Sequence, residues 1–301
     1  MDRQESSSKP SSSLRTELDV PSADTCSTVS CGYNLRPSGS VSSIASSFTA
    51  TKSELVTKFT EKFYPEDLSD LFFSGSSEEA ASIYAICIQE CSSDKNELLV
   101  RLQAAIGIKH VLFTYATHGT LALMIFLNRD LIWYTSVPQS VGVTTSAAVR
   151  TKGAVAICFI IFGTSILFLS AHFKGIIFQN FDEGRIRFPP TYKFDLNSDA
   201  YDSSEKQRVP SYTDRILFMS KKKDNLICLD YNSINTIRSS DHRPVFALFS
   251  LVLRPGSDNI ALAAGAFNRE IYIAGNQRRA LRLDKLKSRK STIHARVCTI
   301  Q

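Results

Sequence analysis

Residues 153–171 read GAVAICFIIFGTSILFLSA, a run without a single charged side chain. Any fold of this chain must take that run out of water, into lipid or into protein. Its length would let a helix cross a bilayer. Gly163-Thr164-Ser165 in its middle is a turn signal, however, and each half is strand-sized and dense in Val, Ile and Phe. Two buried strands joined as a hairpin are therefore expected, with a membrane-spanning segment as the alternative.

Other segments extend this pattern. Ser82–Gln89 (SIYAICIQ) reads as a buried strand that delivers Glu90 at its end. Asn96–Ile106 has apolar residues at helical spacing and stops at Gly107. Strands are expected over Val111–Tyr115, Leu121–Leu127, Leu131–Tyr134 and Val245–Leu253, with a strand or linker over Thr144–Thr151. Ser53–Lys62 reads as a short amphipathic helix. Many strands and few helices make an α+β sheet sandwich the expected class. At 301 residues with 43% hydrophobic content, the chain can hold one large core. The first 50 residues hold 15 Ser and no sustained periodicity, and so read as a disordered lead.

The net charge of +6 is local in origin. Residues 277–301 carry eight Lys or Arg against Asp284 alone, which leaves the body near neutral. That distribution argues against a nucleic-acid-binding face and for an electrostatic anchor at the C-terminus. The seven Cys are scattered without metal-ligand spacing, which fits reduced thiols.

The residues that carry chemistry fall late in the chain. In YDSSEKQRVPSYTDRILF (201–218), Lys206 and Arg208 stand two apart, which in an extended segment turns both to one face and suits a phosphate. Asp241-His242 lies just before an apolar strand and offers a metal-binding or proton-handling pair. Asp214 and Arg215 read equally as an internal ion pair or as substrate contacts.

Five blocks occur in a fixed order: Gln89-Glu90, Ser170-Ala171-His172, Pro189–Asp195, Lys206–Arg215 and Ser240–Val245. Together they resemble the signature blocks of the inositol polyphosphate 5-phosphatases. The resemblance runs from about Tyr64 to Arg279. It implies an α+β, DNase I-like (endonuclease/exonuclease/phosphatase) two-sheet sandwich with flanking helices. It implies Mg²⁺-dependent hydrolysis of the 5-phosphate of phosphatidylinositol polyphosphates. By the same resemblance Glu90 is a metal ligand and His172 contacts the scissile phosphate. Tyr192, Lys193, Lys206 and Arg208 hold a neighbouring ring phosphate, and Asp241 with His242 completes the catalytic centre. Residues 54–255 would form the catalytic domain, between the lead 1–53 and a tail 256–301. Further blocks, among them Thr117-His118-Gly119 and Arg129–Trp133, are similar to a member associated with cilia and Golgi.

Two family blocks have no counterpart. One is an early strand with a Trp-Asn pair, whose place is taken by Ser53–Tyr64. The other is a Gly-Asp-Phe-Asn block, expected between His172 and Ile186, whose Asp is the family's base for water. Here Phe173 is followed directly by Lys174-Gly175, where the family has several helices and strands, so the sheet is expected to be incomplete. A catalytically silent, membrane-tethered binding fragment is therefore the alternative function.

Cys298-Thr299-Ile300-Gln301 fits a prenylation box with a polybasic segment upstream. One lipid chain with a basic patch supplies the two signals that stable anchoring needs. The partners expected are phosphoinositide lipids and a membrane surface, with no nucleic acid. The place expected is the cytoplasmic face of a membrane, at cilium or Golgi by resemblance.

Overall fold

The computed structural model describes residues 51–57, 68–72, 80–91, 94–144, 153–172, 178–253 and 260–297. The Ser-rich lead up to residue 50, the second half of the expected helix at Ser53–Lys62, the junction Phe173-Lys174 and the Cys298 box lie outside the described residues.

One sheet has six strands in the order β10-β11-β1-β2-β4-β3. They are β1 Thr51–Thr57, β2 Ile83–Ile88, β3 His110–His118, β4 Leu121–Asn128, β10 Leu226–Ser233 and β11 Val245–Leu251. The other sheet has three, β5 Gln139–Thr144, β6 Gly153–Ile161 and β7 Thr164–His172, in that order. A two-residue ladder joins β8 Asp182–Glu183 to β9 Leu217–Phe218.

The uncharged run is the hairpin β6–β7, paired from Ile161–Thr164 to Gly153–His172. Phe162 and Gly163 both have positive φ, 48° and 73°, the signature of a type I′ turn whose twist matches the strands. The membrane-spanning alternative is thereby replaced by protein burial. Among the described residues no helix is long and apolar enough to cross a membrane.

The sandwich core lies between the two sheets. Val155, Ile157, Phe159 and Ile161 of β6 meet Ile83, Ala85 and Cys87 of β2 and Leu123, Ile125 and Leu127 of β4. The opposite face of the large sheet, with Tyr84, Ile86, Ile88, Met124 and Phe126, is covered by helix α1, Lys95–Ile106, through Leu98, Leu99 and Leu102. Asp94 caps α1 by accepting from Glu97 N at 3.0 Å, and Gly107 ends it with φ 91°.

Two expectations are corrected. Ser53–Lys62 begins as β1, not a helix, because the slot between β11 and β2 offers a ladder on each side. Tertiary pairing outweighs the propensity of so short a segment. Leu131–Tyr134 is no strand either. Asn128 takes Asp130 N–H on its side chain (3.0 Å) and Leu131 N–H on its carbonyl (2.9 Å), and the chain curls into a 3₁₀ turn at Ile132–Tyr134. Within the segment read as a basic tail, Arg269–Val297 form the 29-residue helix α2, for which no secondary structure was expected. Arg278 bonds both carboxylate oxygens of Glu97 at 2.7 and 3.0 Å, which holds that carboxyl below the usual carboxylate range. Arg279 donates to the last carbonyls of α1, Ala104 and Ala105 (2.9 and 3.1 Å), where a cation offsets the negative end of the helix. Part of the basic charge is thus structural. The strand β10, LICLDYNS, went unread, because its four leading apolar residues are followed by polar ones without a clear alternation.

Candidate active site

Register brings the site residues to one end of the large sheet. β1 runs parallel to β2, with Thr57 beside Cys87, and antiparallel to β11, with Val56 beside Phe246. The C-terminal end of β2 and the N-terminal end of β11 therefore lie at the same rim. Glu90 follows β2 by two residues and His242 precedes β11 by three. One intervening strand separates them laterally by roughly 10 Å. The second sheet joins the same rim, since Gln89 Nε2 donates to Ala171 O at 2.9 Å, next to His172 at the end of β7. Gly153 faces His172 across the ladder, and a Cβ there would stand 2.3 Å from Val143 O, so only glycine allows the strands this approach.

His242 is buried, and its partner is Asp214: Nδ1 lies 2.7 Å from Asp214 Oδ2. The same oxygen accepts from Thr191 Oγ1 at 2.9 Å and Thr213 Oγ1 at 3.1 Å. Sequence reading left Asp214 between two roles and paired Asp241 with His242 as a metal-binding or proton-handling pair. In the structure the carboxylate bonded to His242 is that of Asp214. Asp241 lies in the bend over residues 239–241 and turns its backbone carbonyl to Phe194 N–H (2.8 Å). The Tyr192 ring lies against His242 with centroids 4.4 Å apart, and Tyr192 pairs through its backbone with Ser211 on one side and His242 on the other.

Lys193 extends this wall. Its Nζ donates to Asp202 Oδ1 at 3.2 Å, while Asp202 also accepts from Ser204 N (3.2 Å) and Arg208 N (3.0 Å). Hydrogen bonds from the Ser204 side chain and from Arg208 hold the Asp202 carboxyl well below its ordinary range. Asp202 is a residue that sequence reading missed. The signal for it was Asp followed by Ser-Ser, a pattern that folds back on its own backbone. Lys206 and Arg208 are exposed, but not as an alternating strand. Gln207 N–H bonds Ser204 O at 2.9 Å and Gln207 has φ 38°, so the segment turns, and the shared-face argument is replaced by a loop tethered to Asp202.

The buried arginine in this block is structural. Arg243 lies under the Phe194 ring, 3.9 Å from its centroid, and donates to Ser198 and Ser240 carbonyls. Burial lowers its pKa from the usual arginine value. Arg215 pairs with Glu183, which also accepts from Tyr231 Oη at 3.0 Å. The ion-pair reading of Arg215 is the one seen, with Glu183 rather than Asp214.

A divalent ion finds few donors in this arrangement. Among the described residues no group of three or more His, Cys, Asp or Glu is placed to hold a metal. Glu90, with φ 56° just past β2, is a single hard carboxylate at the rim. Mg²⁺ is held elsewhere by one or two carboxylates with water and substrate phosphate, so the residues fit an ion shared with substrate rather than one enclosed by protein.

Comparison with known proteins agrees with this geometry. The Endonuclease/Exonuclease/phosphatase family 2 model matches residues 173–248. The phosphatidylinositol polyphosphate 5-phosphatases type IV of Mus musculus and Homo sapiens are 32% and 31% identical over 333 residues, covering 80% of this chain and 52% of each relative. The chain thus spans about half the length of these curated relatives. Among solved structures, the inositol polyphosphate 5-phosphatase domain of spSynaptojanin, in complex with inositol (1,4)-bisphosphate and calcium ion, superposes with a TM-score of 0.58 at 19% identity, over 80% of this chain and 93% of that one. A Cimex nitrophorin, a ferrous NO complex, gives 0.60 at 17% identity, over 68% of this chain and 99% of its own. The α+β, DNase I-like two-sheet architecture is common ground, and function must be argued from the site.

Proposed function

We propose that the chain is an inositol polyphosphate 5-phosphatase by its likeness to the type IV enzymes, and that it hydrolyses the 5-phosphate of phosphatidylinositol polyphosphates at a membrane surface. The observation that carries this reading is the buried Asp214–His242 pair, walled by Tyr192 and Lys193. With Nδ1–H turned to Asp214, His242 keeps Nε2 for proton exchange with the phosphoryl group. Tyr192 fixes the plane of that imidazole. Lys193 and the Lys206–Arg208 loop, both organised by Asp202, supply cations for a neighbouring ring phosphate. His172 contacts the scissile phosphate from the second sheet, and Asp241 stands beside His242 at the rim. Glu90, together with substrate phosphate, would hold Mg²⁺, which when bound offsets charge on the phosphoryl oxygens.

The same reading takes residues 54–255 as the catalytic segment and 256–301 as an anchoring segment ending in a prenylated Cys298. It puts the protein on the cytoplasmic face of a membrane, at cilium or Golgi. Phosphate release from vesicles containing phosphatidylinositol 4,5-bisphosphate, with and without Mg²⁺, tests it. The full chain is expected to release phosphate only with Mg²⁺ and His242→Ala to release none. Equal release by the two proteins would sink the proposal.

A second reading, a catalytically silent lipid-binding protein, is favoured by one observation. Of the carboxylates nearest in sequence to the missing base, Asp182 is exposed on β8 and Asp195 accepts from Ser203 N at 3.1 Å. Vesicle binding that is lost in Lys206→Ala/Arg208→Ala and in Cys298→Ser, without phosphate release by any form, is its expected signature.

A further inference from the structure

We propose that β7 is a self-association edge, along which two copies of this chain join β7 to β7, antiparallel, about a twofold axis at Leu167. The argument begins with the hairpin. Ile161–Thr164 is the closing pair of a two-residue turn, and hydrogen-bonded pairs then recur at every second position. Ile166, Phe168 and Ser170 therefore bond β6. Ser165, Leu167 and Leu169 turn their N–H and C=O groups the other way, and among the described residues β7 ends its sheet on that side. The open stretch stops at Ala171, whose carbonyl accepts from Gln89 Nε2.

These outward residues also carry exposed side chains. Leu167 is 64% and Leu169 37% exposed. In register across the sheet Leu169 continues into Val141 through Ala156, and Ala171 into Val143 through Ala154, while Leu167 leads through Cys158 to Gln139, so the outer face of this sheet is largely apolar. An open apolar edge is what soluble proteins ordinarily blunt with charge or proline. Thr164–Ala171 contains neither.

The chemistry of the edge selects the occupant. Unmet alternate backbone groups call for another extended strand. A second β7 satisfies them in register, because a twofold at Leu167 pairs Leu167 with Leu167 and Ser165 with Leu169, all outward-turned residues. About six backbone hydrogen bonds would form, two for each such pair. No charge on either strand opposes the pairing, and the two largely apolar outer faces merge into one. A twofold contact closes on itself and makes a dimer, not a fibre.

The pairing of Leu167 with itself gives a test by charge exchange. Sedimentation equilibrium of the full chain should give twice the monomer mass of 33.4 kDa. Leu167→Lys and Leu167→Glu, each with native circular dichroism since the side chain is exposed, should each sediment as monomers, because like charges then stand opposite. Mixing the two should restore the dimer. Leu167→Pro, which removes only an outward N–H, should also be monomeric and folded. A wild-type monomer, a dimer that persists in Leu167→Lys, larger assemblies, or a mixture that stays monomeric would each overturn the proposal. A variant that loses its fold would show that Leu167 faces the core, and would overturn it equally.

Discussion

The two sides of the candidate site are built by opposite means. On the His242 side, residues 184–216 contain almost no regular structure, yet Asp202, Asp214 and Arg243 each hold several partners at once. On the His172 side the hairpin β6–β7 is regular over its full length, but its outer face is open apolar surface. Regular secondary structure therefore does not measure how firmly a functional group is placed. Side-chain bonds to backbone and buried charge do so on the first side. On the second, placement rests on one packed face and on a glycine contact.

Removing a node on the first side should have the largest effect. Asp214→Ala leaves the buried His242 imidazole and two threonine hydroxyls without their acceptor, and should cost about 3 kcal/mol of unfolding free energy in urea titration. An effect below about 1 kcal/mol would break the contrast, since it would mean the clamp is not held by this carboxylate. Next comes the glycine contact of the second side. Gly153→Val drives a Cβ against Val143 O, and should cost about 2 kcal/mol by the same titration. Thermal stability unchanged by this substitution would show that β5 and β6 are looser than their ladder suggests.

Asp202 sharpens the comparison through pH. Its carboxyl is held below the unfolded value, so its contribution to stability is present above about pH 4 and is lost as pH falls through the lower folded value. The stability difference between wild type and Asp202→Asn, followed by denaturant titration, should be constant above pH 5 and shrink on acidification below about pH 4. A difference that is flat over that acid range would remove Asp202 as organiser of the Lys206–Arg208 loop. The smallest effect belongs to the outer face of the hairpin. Leu169→Ser should change stability by less than about 0.5 kcal/mol at protein concentrations too low for association, whereas Ile157→Ala on the inner face should cost about 3 kcal/mol. Equal costs would mean that both faces are packed.

Legibility in the sequence followed how local the cause of each feature is. The hairpin was readable because a nineteen-residue apolar run with a glycine turn has few ways to leave water. Helix α1 was readable from its spacing and its Gly107 stop. β1 was not, because seven residues of mixed character become a strand only when β11 and β2 stand on both sides. The basic C-terminal segment hid a helix for a related reason: its partner Glu97 lies far away in the chain, on α1.

The chemistry divided along the same line. The five ordered blocks were enough to bring out the likeness to the 5-phosphatases and to bring His242, Tyr192 and Lys193 into one proposal, because short motifs keep their residue types whatever surrounds them. Which carboxylate supports His242 was beyond them. Asp241 is adjacent in sequence but lies in a bend, with its backbone carbonyl turned to Phe194, while Asp214 is brought within 2.7 Å of His242 by the packing of one loop on another. Residue type and local period are written in the chain itself. The choice of partner depends on which surfaces meet, and only the folded sheets decide that.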